Sequence, residues 1–279
     1  SCHTVSSAPG PLDRFLGIID GLQGASEAPL AIRLFGAAGV EYAERYGTSP
    51  RTFASIASKA RRHAVHNERA IFREPVTPEQ VLGSPAMYGL LTRLQCCPPT
   101  CGAAAAIVCT RGFAERHGLP VRVVIRAQAF QTDPPATFDR RSAISCVGYD
   151  MAQATARAAY EQAGIGPDAV DVVELHDCFT VNELLTYEAL GLCGEGEAER
   201  FITDGDNTYG GKIVTNPSGG LLSKGHPLGA TGLAQCAELN WQLRGECGAR
   251  QVEGARIGLQ HNLGLGGACV VTLFERVGR

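Results

Sequence analysis

The stretch that decides the fold is residues 170–190, which read VDVVELHDCFTVNELLTYEAL. Residues 170–175 are rich in Val and predict a buried strand, whereas residues 179–190 carry apolar side chains at helical spacing. His176, Asp177 and Cys178 lie between the two. The segment therefore predicts a strand that runs directly into a helix, with titratable side chains at the junction.

The same alternation of helix and strand continues on both sides. Upstream, residues 150–163 predict an Ala-rich helix that ends at Gly164. Downstream, a loop runs to Ser223 and a long helix is predicted at 229–244. Residues 255–260 and 268–274 predict a β-hairpin whose connection is 261–267. These elements predict an α/β fold in layers, with a mixed sheet covered by helices.

The chain up to about Leu90 is irregular and charged. Helices are predicted within it at residues 31–46 and 51–67, and we interpret this part as an insertion or lid rather than a core. Beyond it, the sequence predicts a small-residue strand at 102–109, a helix at 110–117 and a β-branched strand at 121–127.

The composition excludes several classes of protein. A chain of 279 residues with a net charge of −3 has no long-range reason to bind nucleic acid or an anionic membrane. No apolar run reaches the length of a membrane-spanning helix. The eleven cysteines show no zinc-ligand spacing, so no metal site is predicted. Their odd count and apolar settings favour reduced thiols.

Three histidine-centred clusters, at residues 176–179, 225–229 and 261–267, carry the candidate chemistry. Each ends an apolar run or opens a glycine-rich turn, so His176, His226 and His261 are expected to converge on one pocket. Cys178 lies where helix N–H groups favour an anion, which predicts a lowered thiol pKa and an acid/base role, with His176 and Asp177 orienting the thiol. The alternative is a small buried cysteine that closes the strand.

The other two clusters are rich in glycine. His226 lies between Gly225 and Pro227 before the long helix, and is predicted to activate a thiol or to donate to an oxyanion. The alternative is a histidine that caps a loop. The third cluster predicts a turn whose backbone N–H groups form an oxyanion hole, the alternative being a hairpin without a ligand. The residues of that turn are His261, Asn262, Gly264, Gly266 and Gly267.

Together the clusters predict acyl-transfer or Claisen chemistry, in which histidines polarise a thioester oxygen and a thiol moves a proton. Such chemistry uses a covalent nucleophile. No Cys or Ser of this sequence is predicted at a strand-to-helix junction with a Cys-x-Ser-Ser-like turn. Cys2, in Ser1-Cys2-His3-Thr4, lacks that setting.

Three stretches carry a resemblance to a known family. They are residues 176–192, HDCFTVNELLTYEALGL, residues 205–245, GDNTYGGKIVTNPSGGLLSKGHPLGATGLAQCAELNWQLRG, and residues 260–273, QHNLGLGGACVVTL. They closely resemble thiolases of the sterol carrier protein x type, in the thiolase superfamily. The likeness extends upstream through Phe35-Gly36, Tyr46-Gly47-Thr48, Leu94-Gln95-Cys96-Cys97-Pro98 and residues 102–106.

The resemblance implies a two-step cleavage of 3-oxoacyl-CoA by coenzyme A, which gives acyl-CoA and acetyl- or propionyl-CoA, with no bound cofactor and no metal. By the same match, His226 activates the nucleophilic cysteine and helps to hold the enolate oxygen. His176 completes that oxyanion hole, Cys178 is the acid/base thiol, and His261 lies beside a second oxyanion hole. The resemblance also places Asn262, Gly264 and Gly266 at that second hole and Ser218, Gly219 and Gly225 in a substrate loop.

Family members have two βαβαβαββ halves and a loop domain inserted in the first. By resemblance, residues 1–85 correspond to the loop domain, 86–119 to the tail of the N-terminal half and 120–279 to the complete C-terminal half. The first portion of the N-terminal half, which carries the family's nucleophilic cysteine, has no counterpart. Thr100-Cys101-Gly102 also stands where the family tends to have Ser-Asp before the glycine.

Two other functions stay open: a CoA-ester-binding or assembly module without catalysis, and a thiolase-like retro-aldolase acting on steroid CoA esters. The resemblance implies peroxisomal lipid β-oxidation, with cytoplasm or mitochondrion as alternatives, although no Ser-Lys-Leu-like end is present. The expected partners are CoA and acyl-CoA, a second copy or a thiolase-like chain, and a lipid-transfer domain that follows in relatives.

Overall fold

The structure, a computed structural model, describes residues 16–21, 24 and 26–278; Cys2 lies outside them. Two short strands, β1 (Ala86–Tyr88) and β2 (Leu91–Thr92), form an antiparallel pair. The main sheet has five strands: β3 (Val123–Gln131), β4 (Val172–Glu174), β5 (Val214–Thr215), β6 (Ile257–Gly264) and β7 (Ala268–Arg276).

Residues 16–21 are helical, and ten further helices follow in the described part of the chain. These are α1 (Leu30–Tyr46), α2 (Pro50–Ala64), α3 (Pro78–Leu82), α4 (Arg111–Arg116), α5 (Ala143–Cys146), α6 (Tyr149–Ala163), α7 (Thr180–Ala189), α8 (Ala198–Thr203), α9 (Gly220–Lys224) and α10 (Thr231–Arg244). None of the helices in residues 16–21 and 26–278 is both long and apolar enough to cross a bilayer.

The main sheet is mixed, with strand order β3-β7-β6-β4-β5. β4 runs parallel to both β5 and β6, whereas β7 is antiparallel to β6 and to β3. Consecutive residues of a strand point to opposite faces of the sheet, and helices pack on both faces. Val173 packs into the large core beneath α6 and α7, while its neighbour Val172 packs against Leu239 and Leu243 of α10. The predicted layered α/β class is therefore confirmed.

Most predicted elements are found with small shifts of their ends. α6 ends at Gly164 in the left-handed conformation, as its sequence predicts, and α7 follows β4 directly. The prediction of a continuous loop up to Ser223 is wrong, because that segment contains α8, β5 and most of α9. The predicted hairpin connection is too long: β6 extends to Gly264, so only residues 265–267 form the turn.

The interpretation of the first part as a lid separate from the core is also wrong. Helices α1 and α2 are present, but Phe35, Tyr42 and Phe53 are buried in the same core as Val181 and Leu184 of α7. The packing of these two helices shows that an irregular, charged sequence can still supply one apolar face to a shared core.

The predicted strand at 102–109 is not formed. Residues 101–110 are exposed and belong to neither sheet, and Ile107 projects fully into solvent. A strand requires a partner for its backbone groups, and local β propensity does not supply one. The helix and the strand that were predicted to follow are present as α4 and β3.

Candidate active site

Strand ends at one edge of the sheet bring the three histidines together. β4 leads into His176, and β5 leads through α9 to His226. His261 lies within β6, one residue beyond the last position that pairs with β4. Because the carboxyl ends of neighbouring parallel strands meet at one edge, residues far apart in sequence become neighbours there. The rings of His176 and His226 contact each other edge to face, with centroids 4.8 Å apart.

The hydrogen bonds of Thr231 set the tautomer of His226. The Thr231 hydroxyl donates its single proton to the Pro227 carbonyl, 3.1 Å away, so its oxygen can only accept from His226 Nδ1 at 2.7 Å. Nδ1 of His226 therefore carries the ring proton and Nε2 carries the lone pair. Burial lowers the pKa of His226, which keeps the ring neutral at neutral pH. Nε2 of His226 can therefore act as a base and accept a proton.

The ring of His176 is held by Asn262. Nδ1 of His176 donates to Asn262 Oδ1 at 2.6 Å, which leaves the lone pair on Nε2. Burial, together with nearby His226, lowers the pKa of His176 to about 4, so the ring is neutral. To donate to an oxyanion, Nε2 needs a proton, which it gains when the ring is charged or when the Asn262 amide turns its nitrogen toward Nδ1.

An Asn262→Asp substitution tests this arrangement. A carboxylate beside Nδ1 favours the charged ring, so we expect the pKa of His176 to rise by about one unit or more. Histidine NMR titration measures the change. Asn240→Asp, which adds the same charge beside Arg244 near the end of α10, is the control and should leave His176 unchanged. An unchanged pKa in Asn262→Asp would show that Asn262 does not control this ring.

His261 is fully buried, and neither ring nitrogen has a hydrogen-bond partner in the part of the chain that the structure describes. Burial, with a smaller effect from His176, lowers the pKa of His261 to about 3. The prediction that His261 and Asn262 open a turn is wrong, because both lie within β6, in register with Val271 and Val270. His261 is thus a neutral polar group at the back of the histidine cluster.

The oxyanion hole at the glycine turn stays a prediction. Gly264 ends β6, and the turn itself contains Gly266 and Gly267, both with positive φ. The carboxylate of Asp133 lies against Gly267, with Oδ2 2.9 Å from the position of an added Cβ. A carboxylate is an unfavourable neighbour for an oxyanion, because like charges repel.

Cys178 lies at the predicted junction, but the prediction of a lowered thiol pKa is wrong. Burial raises the pKa of Cys178 well above its ordinary value, and nearby Cys97 and Asp177 add to the rise. Loss of water outweighs the favourable field of the helix start, which is weak compared with complete desolvation. The thiol therefore stays protonated, and no hydrogen bond within the described residues joins it to either histidine.

The prediction that Asp177 orients Cys178 is wrong. The Asp177 carboxylate instead caps the start of α9. Its Oδ1 accepts from the backbone N–H of Leu221 at 2.6 Å and its Oδ2 from that of Leu222 at 3.3 Å. Burial raises the pKa of this carboxyl, and the two N–H donors oppose the rise. Since α9 leads to His226, Asp177 connects the loop of His176 to the loop of His226.

The segment at residues 96–99 makes a second connection between these loops. Cys96 forms an isolated antiparallel bridge with Phe179, and the Cys97 N–H donates to the Cys178 carbonyl at 2.9 Å. Two residues after Cys97, Pro99 forms a parallel bridge with His226. The loops of both histidines are thus held from one side by a single extended segment.

The predicted substrate-loop residues Ser218, Gly219 and Gly225 are all buried. Ser218 is buried and its hydroxyl donates to Glu174 at 2.8 Å, while Lys224 donates to the Ser218 hydroxyl at 3.0 Å. Gly219, with φ +91°, packs so closely on Ala64 that an added Cβ would lie 2.6 Å from the alanine Cβ. Gly225 has φ +105° at the end of α9.

Two side chains of this region were not predicted from the sequence. Thr231 follows His226 by five residues at the start of α10, a position where a hydroxyl commonly faces back along the chain. Cys97 pairs with Cys178 only through the tertiary fold, and no sequence signal indicates that contact. Within the residues the structure describes, no group of His, Cys, Asp or Glu has the geometry to hold a metal ion.

Comparison with known proteins agrees with this architecture. A family model described as thiolase C-terminal domain-like matches residues 139–274. The chain is 55% identical over 271 residues, 97% of its length, to sterol carrier protein 2 of Rattus norvegicus, of which it covers 50%. It is 44% identical over 233 residues to an acetyl-CoA acetyltransferase of Methanothermobacter thermautotrophicus, with 83% of this chain and 60% of that protein covered.

A solved structure titled Ltp2-ChsH2(DUF35) aldolase shares the fold, with a TM-score of 0.77 and 21% identity, over 98% of this chain and 69% of that one. The fold and the domain match define a protein of the thiolase class. The chain belongs to the thiolase-like family that includes sterol carrier protein 2. It spans about half the length of the curated relatives it matches.

Proposed function

We propose that this chain carries the histidine half of a thiolase-type active site that acts on 3-oxoacyl-CoA thioesters with coenzyme A. The observation that carries the proposal is the contact between His176 and His226, in which Thr231 leaves the lone pair of His226 on Nε2. A base and a potential oxyanion donor side by side are the groups that a thioester cleavage needs. The similarity to an acyltransferase supports the same class.

In the proposed reaction, Nε2 of His226 takes the proton of a nucleophilic thiol, which one of the chain's own cysteines or a thiolase-like partner chain supplies. The resulting thiolate attacks the 3-oxo carbon. The bond between C2 and C3 breaks, and its electron pair moves to the thioester oxygen. The protonated His226 donates to this oxygen, and His176 also donates to it once its Nε2 carries a proton. The neutral Cys178 then donates its proton to C2. Coenzyme A gives its thiol proton to the Cys178 thiolate, and its sulfur attacks the acyl carbonyl. The nucleophilic thiolate then leaves the acyl group and takes back the proton that His226 holds. The raised pKa of Cys178 suits the donating step.

A cleavage assay tests the proposal. The chain is incubated with a 3-oxoacyl-CoA ester with and without coenzyme A, and the products are measured by mass spectrometry. CoA-dependent cleavage that His226→Ala removes and His117→Ala retains would support the proposal, since His117 lies on the surface beside Phe113. No cleavage, or cleavage retained in His226→Ala, would contradict an acyl-transfer role for this chain alone. Cleavage of a 3-hydroxyacyl-CoA ester without CoA would indicate a retro-aldolase.

A second candidate is a module that binds CoA esters without turnover. Every cysteine whose pKa is shifted in the described residues has it raised, chiefly by burial, so none of these is activated as a nucleophile. The intact mass after incubation with an acyl-CoA distinguishes the two functions. A covalent acyl adduct would exclude the binding module, and its absence together with saturable binding would support it.

The exposed segment at residues 101–110 supports a further part of the proposal, that the chain associates with a second copy or a thiolase-like chain. Ile107 and Val108 project into solvent from an extended stretch outside both sheets. Exposed apolar residues and free backbone groups favour pairing with another chain. Sedimentation velocity should show association that weakens in Ile107→Lys. A monomer over the whole concentration range would contradict this.

The family similarity also suggests a metabolic role and a location in the cell. We propose a role in lipid oxidation, in a peroxisomal or cytosolic location, on the basis of the similarity to sterol carrier protein 2. Fractionation of cells that express a tagged chain tests the location, and a purely mitochondrial signal would contradict it.

A further inference from the structure

A cavity of about 430 Å³ lies apart from the histidine cluster, between α1, the start of α6 and the end of α7. None of His176, Cys178, His226 and His261 lines it. A cavity of this size can hold a small organic molecule. The chemistry of its walls therefore indicates what it binds.

Three tyrosines form much of the wall, namely Tyr42, Tyr46 and Tyr149. The rings of Tyr42 and Tyr46 lie 4.7 Å apart and are inclined to each other. The Tyr46 hydroxyl donates to Glu195 Oε1 at 2.7 Å, and the Tyr42 hydroxyl donates to Glu188. Aromatic faces backed by carboxylates attract cations, because the ring face and the carboxylate are both negative.

The hydroxyl of Tyr149 is the unusual group in this wall. Its oxygen is buried, yet it has no hydrogen-bond partner in the described part of the chain. Burial, followed by the nearby carboxylates of Glu188 and Glu195, raises the pKa of Tyr149. A buried polar group without a partner is rare and costs free energy, so a ligand that hydrogen-bonds to it would be favoured.

The charges around the cavity do not cancel. Arg45 pairs with Glu41 at 2.7 Å, and Arg140 pairs with Asp150 at 3.0 Å. After these pairs are formed, the carboxylates of Glu188 and Glu195 remain. Glu195 also lies near Arg45, which partly offsets its charge.

Glu188 is the deeper of these two carboxylates. It is buried, and besides Tyr42 the donors to its Oε1 among the described residues are the backbone N–H groups of Gly196 at 3.0 Å and Ala198 at 3.3 Å. No arginine or lysine forms an ion pair with it among the described residues. An excess of carboxylate over cation in a partly closed cavity favours a positively charged ligand.

We propose that this cavity binds an organic cation that carries a primary ammonium group. The ammonium lies against the tyrosine rings and donates to the carboxylates of Glu188 and Glu195 and to the Tyr149 oxygen. This site lies outside the proposed thioester chemistry and does not depend on it. Neutral polyols lack the charge that the carboxylates attract, and anions are repelled by them.

Calorimetric titration of the chain with 1,4-diaminobutane tests the proposal, with 1,4-butanediol as the uncharged control of the same length at equal ionic strength. We expect saturable binding of the diamine and none of the diol. Tyr149→Phe and Glu195→Gln should each weaken binding by roughly threefold or more. Glu197→Gln, which removes an exposed carboxylate two residues away that does not line the cavity, should leave binding unchanged.

Several results would overturn the proposal. These are the absence of saturable diamine binding, equal binding of the diol, and equal diamine binding by wild type, Tyr149→Phe and Glu195→Gln. Binding of inorganic phosphate that Arg45→Gln and Arg140→Gln abolish would assign the cavity to an anion instead. Circular dichroism of each variant confirms that it is folded, and Glu195 and Arg140 are exposed enough for their substitution to preserve the fold.

Discussion

Gly220→Ala is expected to destabilise the chain by about 3 kcal/mol or more and to separate the two histidine loops. An added methyl group would overlap the carboxylate of Asp177, and the φ of +60° at this position is unfavourable for alanine. Displacing the carboxylate leaves the buried N–H groups of Leu221 and Leu222 without acceptors. Denaturant unfolding measures the loss of stability, and the NMR contacts between the rings of His176 and His226 report the geometry.

Gly166→Ala is the matched control. Gly166 has φ −106°, and an added Cβ there meets no atom within 4 Å. The free energy of unfolding of Gly166→Ala should therefore differ from that of the wild type by about 0.5 kcal/mol or less. If Gly220→Ala were as stable as this control and kept the ring contact, the connection through Asp177 would not hold α9 in place.

Lys59→Met is expected to cost about 3–5 kcal/mol, since it removes one partner of a buried ion pair. Lys59 lies in α2 and pairs with Glu183 of α7, and both side chains are almost fully shielded from water. Its ammonium also donates to the Tyr187 hydroxyl at 3.1 Å and to Thr215 Oγ1 at 2.5 Å. Without it, the Glu183 carboxylate has no ion-pair partner in a dry interior, where its Oε2 already lacks a hydrogen bond within the described residues.

The control for this prediction lies on the same helix. Arg51 pairs with Glu79 at the surface, where water screens both charges, so Arg51→Met should have little effect. Denaturant unfolding of the two variants gives the comparison. An equal loss of stability in both variants would show that Lys59 does not hold α2 against the core. It would favour the interpretation of the first part of the chain as a lid.

Much of the fold could be predicted because its signals are local. α6 shows helical spacing and ends at a glycine that adopts the left-handed conformation, and β4 and α7 follow the apolar pattern of residues 170–190. The strand at 102–109 could not be excluded from the sequence, because a strand depends on a partner that local residues do not reveal. The burial of α1 and α2 likewise depends on the surface of α7 against which they pack, and only the tertiary structure brings that surface into place.

The site was predictable in part for the same reason. Histidines at strand ends could be expected to converge, and His176 and His226 do lie in contact. The pKa of Cys178 was predicted with the wrong sign, since desolvation depends on everything packed around the thiol. The cap that Asp177 gives α9 joins residues 44 apart in sequence, so spacing alone could not predict it. Contacts of this kind follow from topology rather than from composition.

The most direct test of the proposed thioester site is a calorimetric titration of a non-hydrolysable 3-oxoacyl-CoA analogue into wild type, His226→Ala and His117→Ala. Because the proposed site binds the thioester oxygen through His226, the wild type and His117→Ala should bind with equal affinity. His226→Ala should bind roughly tenfold more weakly, as expected for the loss of a hydrogen bond from Nε2, which takes up a proton when the ligand oxygen is bound. No binding by the wild type, or equal affinity of all three proteins, would contradict the assignment of the histidine cluster as a thioester site.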